Sequence, residues 1–262
     1  MADPNYIRSE AKSFALLQRF GVESANFDVE DIAFAMGIEV RRGGLASGDA
    51  WLLRHEDGTG TIRLNASVTE FARERFSIAH ELGHWELHPN LTQGYLCTER
   101  NLRDYGQSAE EAEANWFAAT LLMPKFLIPP EVFKSDPSFD YVRQLAKMFR
   151  TSLTAAARRF VELNRHPLVL VSSTGGRVNW TARSKNAGYY FLYPGSTIPE
   201  NSMTADFVPK AKAEGLTQST VERLEPSVWF PDLNFDQDAE LFEEIRYSID
   251  YDTALTLLWI PQ

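Results

Sequence analysis

The sequence predicts an α+β protein, with helices gathered in its first two thirds and an antiparallel sheet in its last. Three observations carry this. Two long segments, one between Ser67 and His88 and one from Ser108 to Met123, have the apolar content and end signals of helices. A basic stretch after Ser138 reads as two further helices joined at Arg150-Thr151-Ser152. From residue 167 the pattern turns to short apolar runs separated by a glycine turn. The expected division is therefore 1–137, 138–166 and 167–262, and 262 residues suffice for two domains or subdomains.

The first segment contains His80-Glu81-Leu82-Gly83-His84. Histidines four apart on a helix differ by only about 40° in direction, so both imidazoles reach one metal ion. Glu81 stands one position round the cylinder, placed to take a proton from water at that ion. This donor set suits a metal-dependent peptidase. Ser67-Val68-Thr69-Glu70 offers a capping box, and His88-Pro89 a stop. Phe71, Ile78, Ala79, Leu82 and Trp85 supply the packing face. Glycine inside a helix costs about 1 kcal/mol against alanine, so Gly83 predicts a close backbone neighbour. A helix that merely buries two histidines is the bland alternative, but three of the chain's five histidines fall within nine residues here. His88 lies about 12 Å along the helix from His80 and reads as its end.

The third ligand must come from another element. A histidine six residues beyond His84 is absent, since Asn90 stands there. A glutamate on a second helix is the usual solution, and the segment Ser108–Met123 offers three. With Glu110 at 0° on a helical wheel, Glu111 falls at about 100°, Asn115 at about 140°, Ala118 at about 80° and Glu113 at about 300°. Glu111 thus shares a face with an amide able to orient it and with a small residue that permits close packing. Ser108 and Glu111 also read as a capping box, and Glu110 and Glu113 suit a helix N-terminus. The precedent of two histidines and one glutamate favours Glu111 as ligand. Such a site leaves one open position and points to one Zn2+ per chain. On the connecting loop, Tyr95, Arg100, Arg103 and Tyr105 are candidate oxyanion donors. Cys97 is either an ordinary thiol or a fourth zinc ligand that latches the site.

Arg75-Phe76-Ser77-Ile78-Ala79-His80-Glu81-Leu82-Gly83-His84, followed by Glu111-Ala112-Glu113-Ala114-Asn115-Trp116-Phe117 and Leu121-Leu122-Met123-Pro124, resembles the ImmA/IrrE family of metallo-endopeptidases. The resemblance extends over about residues 10–165. Val29–Ala33 through Gly37–Val40, and Thr61–Asn65, sit where the family has an entry helix and a leading strand. It implies a zincin-like core of gluzincin type, with His80, His84 and Glu111 as zinc ligands and Glu81 as general base. It also implies a bacterial protein that cleaves a helix-turn-helix repressor and so induces the genes it silenced. Thr61–Asn65 is expected to offer an edge to which extended substrate adds.

The middle block carries six basic and two acidic residues. Leu145-Ala146 and Phe149, then Ser152 and Ala155-Ala156, resemble a helix-turn-helix, with Arg158 and Arg159 on the second helix. Acidic sequence lies on both sides and the chain carries a formal charge of −10, so DNA binding is not expected and support of the core is. Beyond it, Leu168–Val171, Thr174-Gly175-Gly176 and Arg177–Trp180 form a hairpin signal. Tyr189–Tyr193, Phe242–Ile249 and Ala254–Ile260 are further strand candidates in an α+β sensor or substrate-recognition domain. Asp236, Asp238 and Glu240 lack the glycine and terminal glutamate of a calcium loop.

No run of 18 apolar residues occurs, the first residues lack the plan of a signal peptide, and one cysteine forms no internal disulfide. These features predict a cytoplasmic protein with no membrane role. The competing reading is a zinc-sensing regulator or adaptor that binds DNA or a partner through its basic helices. Glu81 speaks against it, because a sensor needs ligands but no base.

Overall fold

The computed structural model describes residues 3–90, 108–236 and 238–261. Its architecture is α+β, and the chain divides into two compact units. One comprises Met1–Ile128 with Leu145–Ser152, the other Pro129–Gln144 with Leu153–Gln262. Among the described residues no helix is long and apolar enough to cross a membrane.

The first unit opens with α1 (Tyr6–Arg19), capped by the Asn5 side chain, which accepts from Arg8 N–H at 3.0 Å. Asp28 caps α2 (Val29–Ala35) in the same way. A three-stranded sheet follows, of β1 (Ile38–Gly43), β2 (Ala50–Arg54) and β3 (Gly60–Asn65), in the order β1-β3-β2. β1 runs parallel to β3 and β2 antiparallel to it. Thr61–Asn65 is therefore the central strand rather than an edge: both its backbone rows are used, and the free edges belong to β1 and β2. The sequence reading missed β2, an edge strand whose one neighbour in the sheet, β3, only the fold defines.

α3 (Phe71–Leu87) and α4 (Ala109–Leu122) pack on this sheet through a core that includes Ile62, Leu64, Ile78, Leu82, Phe117 and Leu121. The expected capping box at Ser67 does not form. Glu70 is the N-cap of α3 and makes no side-chain cap bond, while Ser67 N–H is turned to Asn65 Oδ1 at 3.1 Å. Ser108 does cap α4, accepting from Glu111 N–H at 3.2 Å.

α5 (Phe139–Phe149) and α6 (Leu153–Leu163) are the two helices expected in the middle block. In the second unit, Arg159 on α6 is buried and paired with Glu162 at 2.5 Å, and Arg158 lies over the Trp180 ring at 3.7 Å. Its sheet comprises β4 (Leu168–Thr174), β5 (Arg177–Arg183), β6 (Glu222–Leu224), β7 (Leu241–Ser248) and β8 (Thr253–Trp259), in the order β5-β4-β8-β7-β6. All neighbours are antiparallel. The β4–β5 hairpin closes through Gly175 and Gly176, both at positive φ, as a two-residue turn that matches strand twist requires. Helix α7 (Met203–Glu214) begins against the buried Glu243 carboxylate, which accepts from Met203 N–H, Thr204 N–H, Thr204 Oγ1 and Trp229 Nε1.

Tyr189–Tyr193 is a loop, not a strand. Its alternation is real, since Tyr190 and Leu192 pack on the core while Tyr189 and Tyr193 are exposed. No backbone ladder accompanies it.

Candidate metal centre

α3 and α4 bring His80, His84 and Glu111 together, and their ligand atoms lie within 4.8 Å of one another. Among the described residues this is the one group of three such side chains placed to hold a metal. The Nε2 atoms of His80 and His84 are 3.0 Å apart. Glu111 Oε2 stands 3.4 Å from His80 Nε2, and Oε1 stands 3.3 Å from His84 Nε2. All three residues are buried, as is Glu81 beside them.

The far nitrogens of both rings are also engaged. His80 Nδ1 meets Asn115 Oδ1 at 2.9 Å, and His84 Nδ1 meets His88 Nδ1 at 3.1 Å. An amide oxygen only accepts, so His80 carries a proton on Nδ1 and turns a lone pair toward the centre when neutral. Asn115, expected to orient Glu111, whose face it shares, instead turns its side-chain oxygen to the His80 ring on the facing helix. Ser108 caps the helix with its own hydroxyl, which leaves the Glu111 carboxylate directed at the two imidazoles.

A metal ion fits this arrangement. Both Glu111 oxygens are buried with no donor at hydrogen-bonding geometry, and two imidazole nitrogens converge on them. Tetrahedral coordination at about 2.0–2.1 Å separates donor atoms by about 3.3 Å. The separations of 3.0, 3.3 and 3.4 Å are of that size.

Electrostatics point the same way. Burial alone raises the Glu111 carboxyl, but the adjacent imidazoles outweigh it and hold the group well below the usual carboxylate range. Burial lowers His84 to about 4, against the pull of Glu111. His80 also suffers burial, yet Glu111, Glu81 and Asn115 together raise it above the ordinary histidine value. With the two Nε2 atoms in contact, the pair tolerates one imidazolium, and that proton competes with a metal for the same space.

Several residues that hold the site escaped the sequence reading. Arg54 on β2 donates through Nη2 to the carbonyls of His84 and Trp85, at 3.0 and 2.8 Å, and lies over the Trp85 ring at 4.1 Å. Arg8 on α1 donates to Leu87 O at 2.8 Å. The last turn of α3, which has no glycine cap, thus has the orphan carbonyls of Trp85 and Leu87 satisfied by two cations at the negative end of its dipole. His88, expected only to end the helix, is half-buried at its end and meets Glu113 at 3.0 Å. Tyr95, Cys97, Arg100, Arg103 and Tyr105 lie outside the described residues.

Residues 33–161 match the family profile described as the IrrE N-terminal-like domain, a peptidase family. The span contains His80, Glu81, His84 and Glu111. No curated protein matches the sequence. Among solved structures, a Mycobacterium tuberculosis transcriptional regulator is similar at 13% identity and a TM-score of 0.57, over 97% of this chain and 87% of that one. At such identity the likeness is one of fold.

Proposed function

Because residues 33–161 are an IrrE N-terminal-like domain, we propose that this metallopeptidase is a zinc-dependent endopeptidase whose substrate is a helix-turn-helix transcriptional repressor. The observation that carries the reading is the buried cluster of His80, His84 and Glu111 with Glu81 next in sequence to a ligand. His80, His84 and Glu111 would hold the zinc. Bound there, zinc acidifies water and polarises a carbonyl. Glu81 takes the proton from the attacking water and delivers it to the leaving nitrogen. Asn115 keeps the His80 ring turned so that Nε2 faces the centre.

The three-part division is kept as part of this proposal. Residues 1–137 perform the chemistry, 138–166 support it, and 167–262 recognise a substrate or signal. Substrate adds as an extended strand to an open edge of the sheet, at β1 or β2. DNA binding is not the activity proposed, since Arg158 and Arg159 are engaged with Trp180 and Glu162. A net charge of −10 favours encounter with the basic face of a repressor and makes the rate fall with salt. The cytoplasm, where such repressors act, is the proposed location.

The test incubates the zinc-loaded protein with a basic helix-turn-helix repressor encoded beside it and maps fragments by mass spectrometry. The expected result is one cut in an exposed loop. An intact repressor, under conditions where a generic peptide is cut, would instead indicate a hydrolase of small peptides.

A further inference from the structure

We propose that His88 and Glu113 are positioning residues for His84, joined in a relay that ends on the backbone of the N-terminal helix. The proposal rests on the reading of His84 as a metal ligand. His84 Nδ1 and His88 Nδ1 are 3.1 Å apart, His88 Nε2 and Glu113 Oε2 are 3.0 Å apart, and Glu113 Oε1 accepts from Asn5 N–H at 2.8 Å. The side chains of His88 and Glu113 are 8% and 11% exposed.

Hydrogen-bond chemistry gives this chain one direction. A neutral His84 that turns the Nε2 lone pair to a metal carries its proton on Nδ1 and donates it to His88. His88 Nδ1 then accepts, so its own proton sits on Nε2 and is donated to the Glu113 carboxylate. A carboxylate only accepts, and its second oxygen is filled by the Asn5 N–H. Each of the two metal-facing imidazoles thereby has a fixed acceptor behind it, the Asn115 amide for His80 and the His88–Glu113 pair for His84. Such acceptors fix ring orientation and raise ligand basicity.

The relay also draws α1 into the site. Asn5 caps α1, Tyr6 packs on Trp116 at 4.6 Å between ring centroids, and Ser13 is bonded to Thr120 at 2.7 Å, so the donor to Glu113 is held on α4 by its own helix. A structural role alone would have His88 end α3 and Glu113 hold α1, with no consequence at the metal.

The two roles separate by experiment on the full chain. Zinc affinity is measured by chelator competition, and the visible spectrum of the cobalt-substituted protein is recorded, for wild type, His88→Leu, His88→Asn, Glu113→Gln and Glu113→Ala. Thermal stability of the metal-free proteins is measured alongside. The expected result is a loss of about tenfold to a hundredfold in zinc affinity for His88→Leu and Glu113→Ala, with an altered cobalt spectrum. His88→Asn restores an acceptor oxygen close to the position of Nδ1 and should recover part of the loss. Wild-type affinity and spectrum in the variants, with only their metal-free stability lowered, would overturn the relay and leave the peptidase reading standing. Absence of metal binding in the wild type would remove both.

Discussion

Gly83 on α3 and Ala114 on α4 meet backbone to backbone: a Cβ at position 83 would stand 3.1 Å from both the Cα and the carbonyl oxygen of Ala114, and 3.2 Å from the Phe117 Cβ. The helix carrying His80 and His84 and the helix carrying Glu111 are thus set apart by the width of a glycine. Gly83→Ala gains about 1 kcal/mol of helix propensity and loses about 1–3 kcal/mol to overpacking against backbone that cannot rotate away. Stability should fall slightly or stay level, while zinc affinity drops because Glu111 is pushed from the imidazoles. Equal zinc affinity in a competition titration would mean that the helix spacing does not set the ligand geometry.

Glu81→Gln is expected to keep fold and metal and to lose cleavage. The amide preserves shape and still bonds water, but has no site for its proton. Glu81 is buried and its charge acts on His80, so the substitution should also make the His80 ring harder to protonate. Full metal content with cleavage reduced at least about a hundredfold is the expected pair of readings. Cleavage at the wild-type rate would remove Glu81 as the base.

What the sequence made legible follows from how local each signal is. The i,i+4 spacing of His80 and His84, the wheel position of Glu111, and the cost of Gly83 are properties of single helices, and each has its counterpart in the structure, whereas Asn115 serves His80 on the other helix rather than Glu111 on its own. The hairpin through Gly175 and Gly176 is equally local. The role of Thr61–Asn65 was misread because edge or centre is decided by β1 and β2, which lie elsewhere in the chain. Glu113 fell outside the ligand arc on the wheel and was assigned only the helix end. Its partners become visible only in the fold, His88 when α3 packs on α4 and the Asn5 N–H when α1 does. Tyr189–Tyr193 has a strand's alternation, yet alternation reports burial on one side and not a hydrogen-bonded neighbour.

In the second unit, Asp252 sits at the β7–β8 turn with φ of 47°, bonded by Tyr247 Oη and by Lys212 at 3.0 Å. Tyr247 and Lys212 hold its carboxyl below the ordinary value of 3.8. A depressed carboxylate contributes stability that is full above the unfolded value and lost as pH falls through the folded one. Asp252→Asn tolerates the same left-handed backbone and removes only the charge. The difference in melting temperature between wild type and variant should be small at pH 7, because the group is exposed and screened, should begin to shrink near pH 3.8, and should close once pH has fallen through the lower folded value. A difference that persists or widens in acid would show that the charge is not what Asp252 contributes.

Glu111 and Asn115 make separable claims at the metal. Glu111→Gln removes the anionic donor and leaves two imidazoles, so zinc affinity should fall well beyond what loss of a supporting bond causes. Asn115→Ala leaves all three candidate ligands in place but takes away the acceptor 2.9 Å from His80 Nδ1. Its expected loss is about tenfold to a hundredfold. Asn115→Asp supplies a stronger acceptor to the same nitrogen and should bind zinc at least as well as wild type. Chelator competition at one fixed pH measures all three variants. If Glu111→Gln binds as wild type, the third ligand lies elsewhere. If only Asn115→Ala does, packing against Phe76, 6.5 Å from His80 between ring centroids, suffices to orient the imidazole, and the amide is there to satisfy a buried N–H.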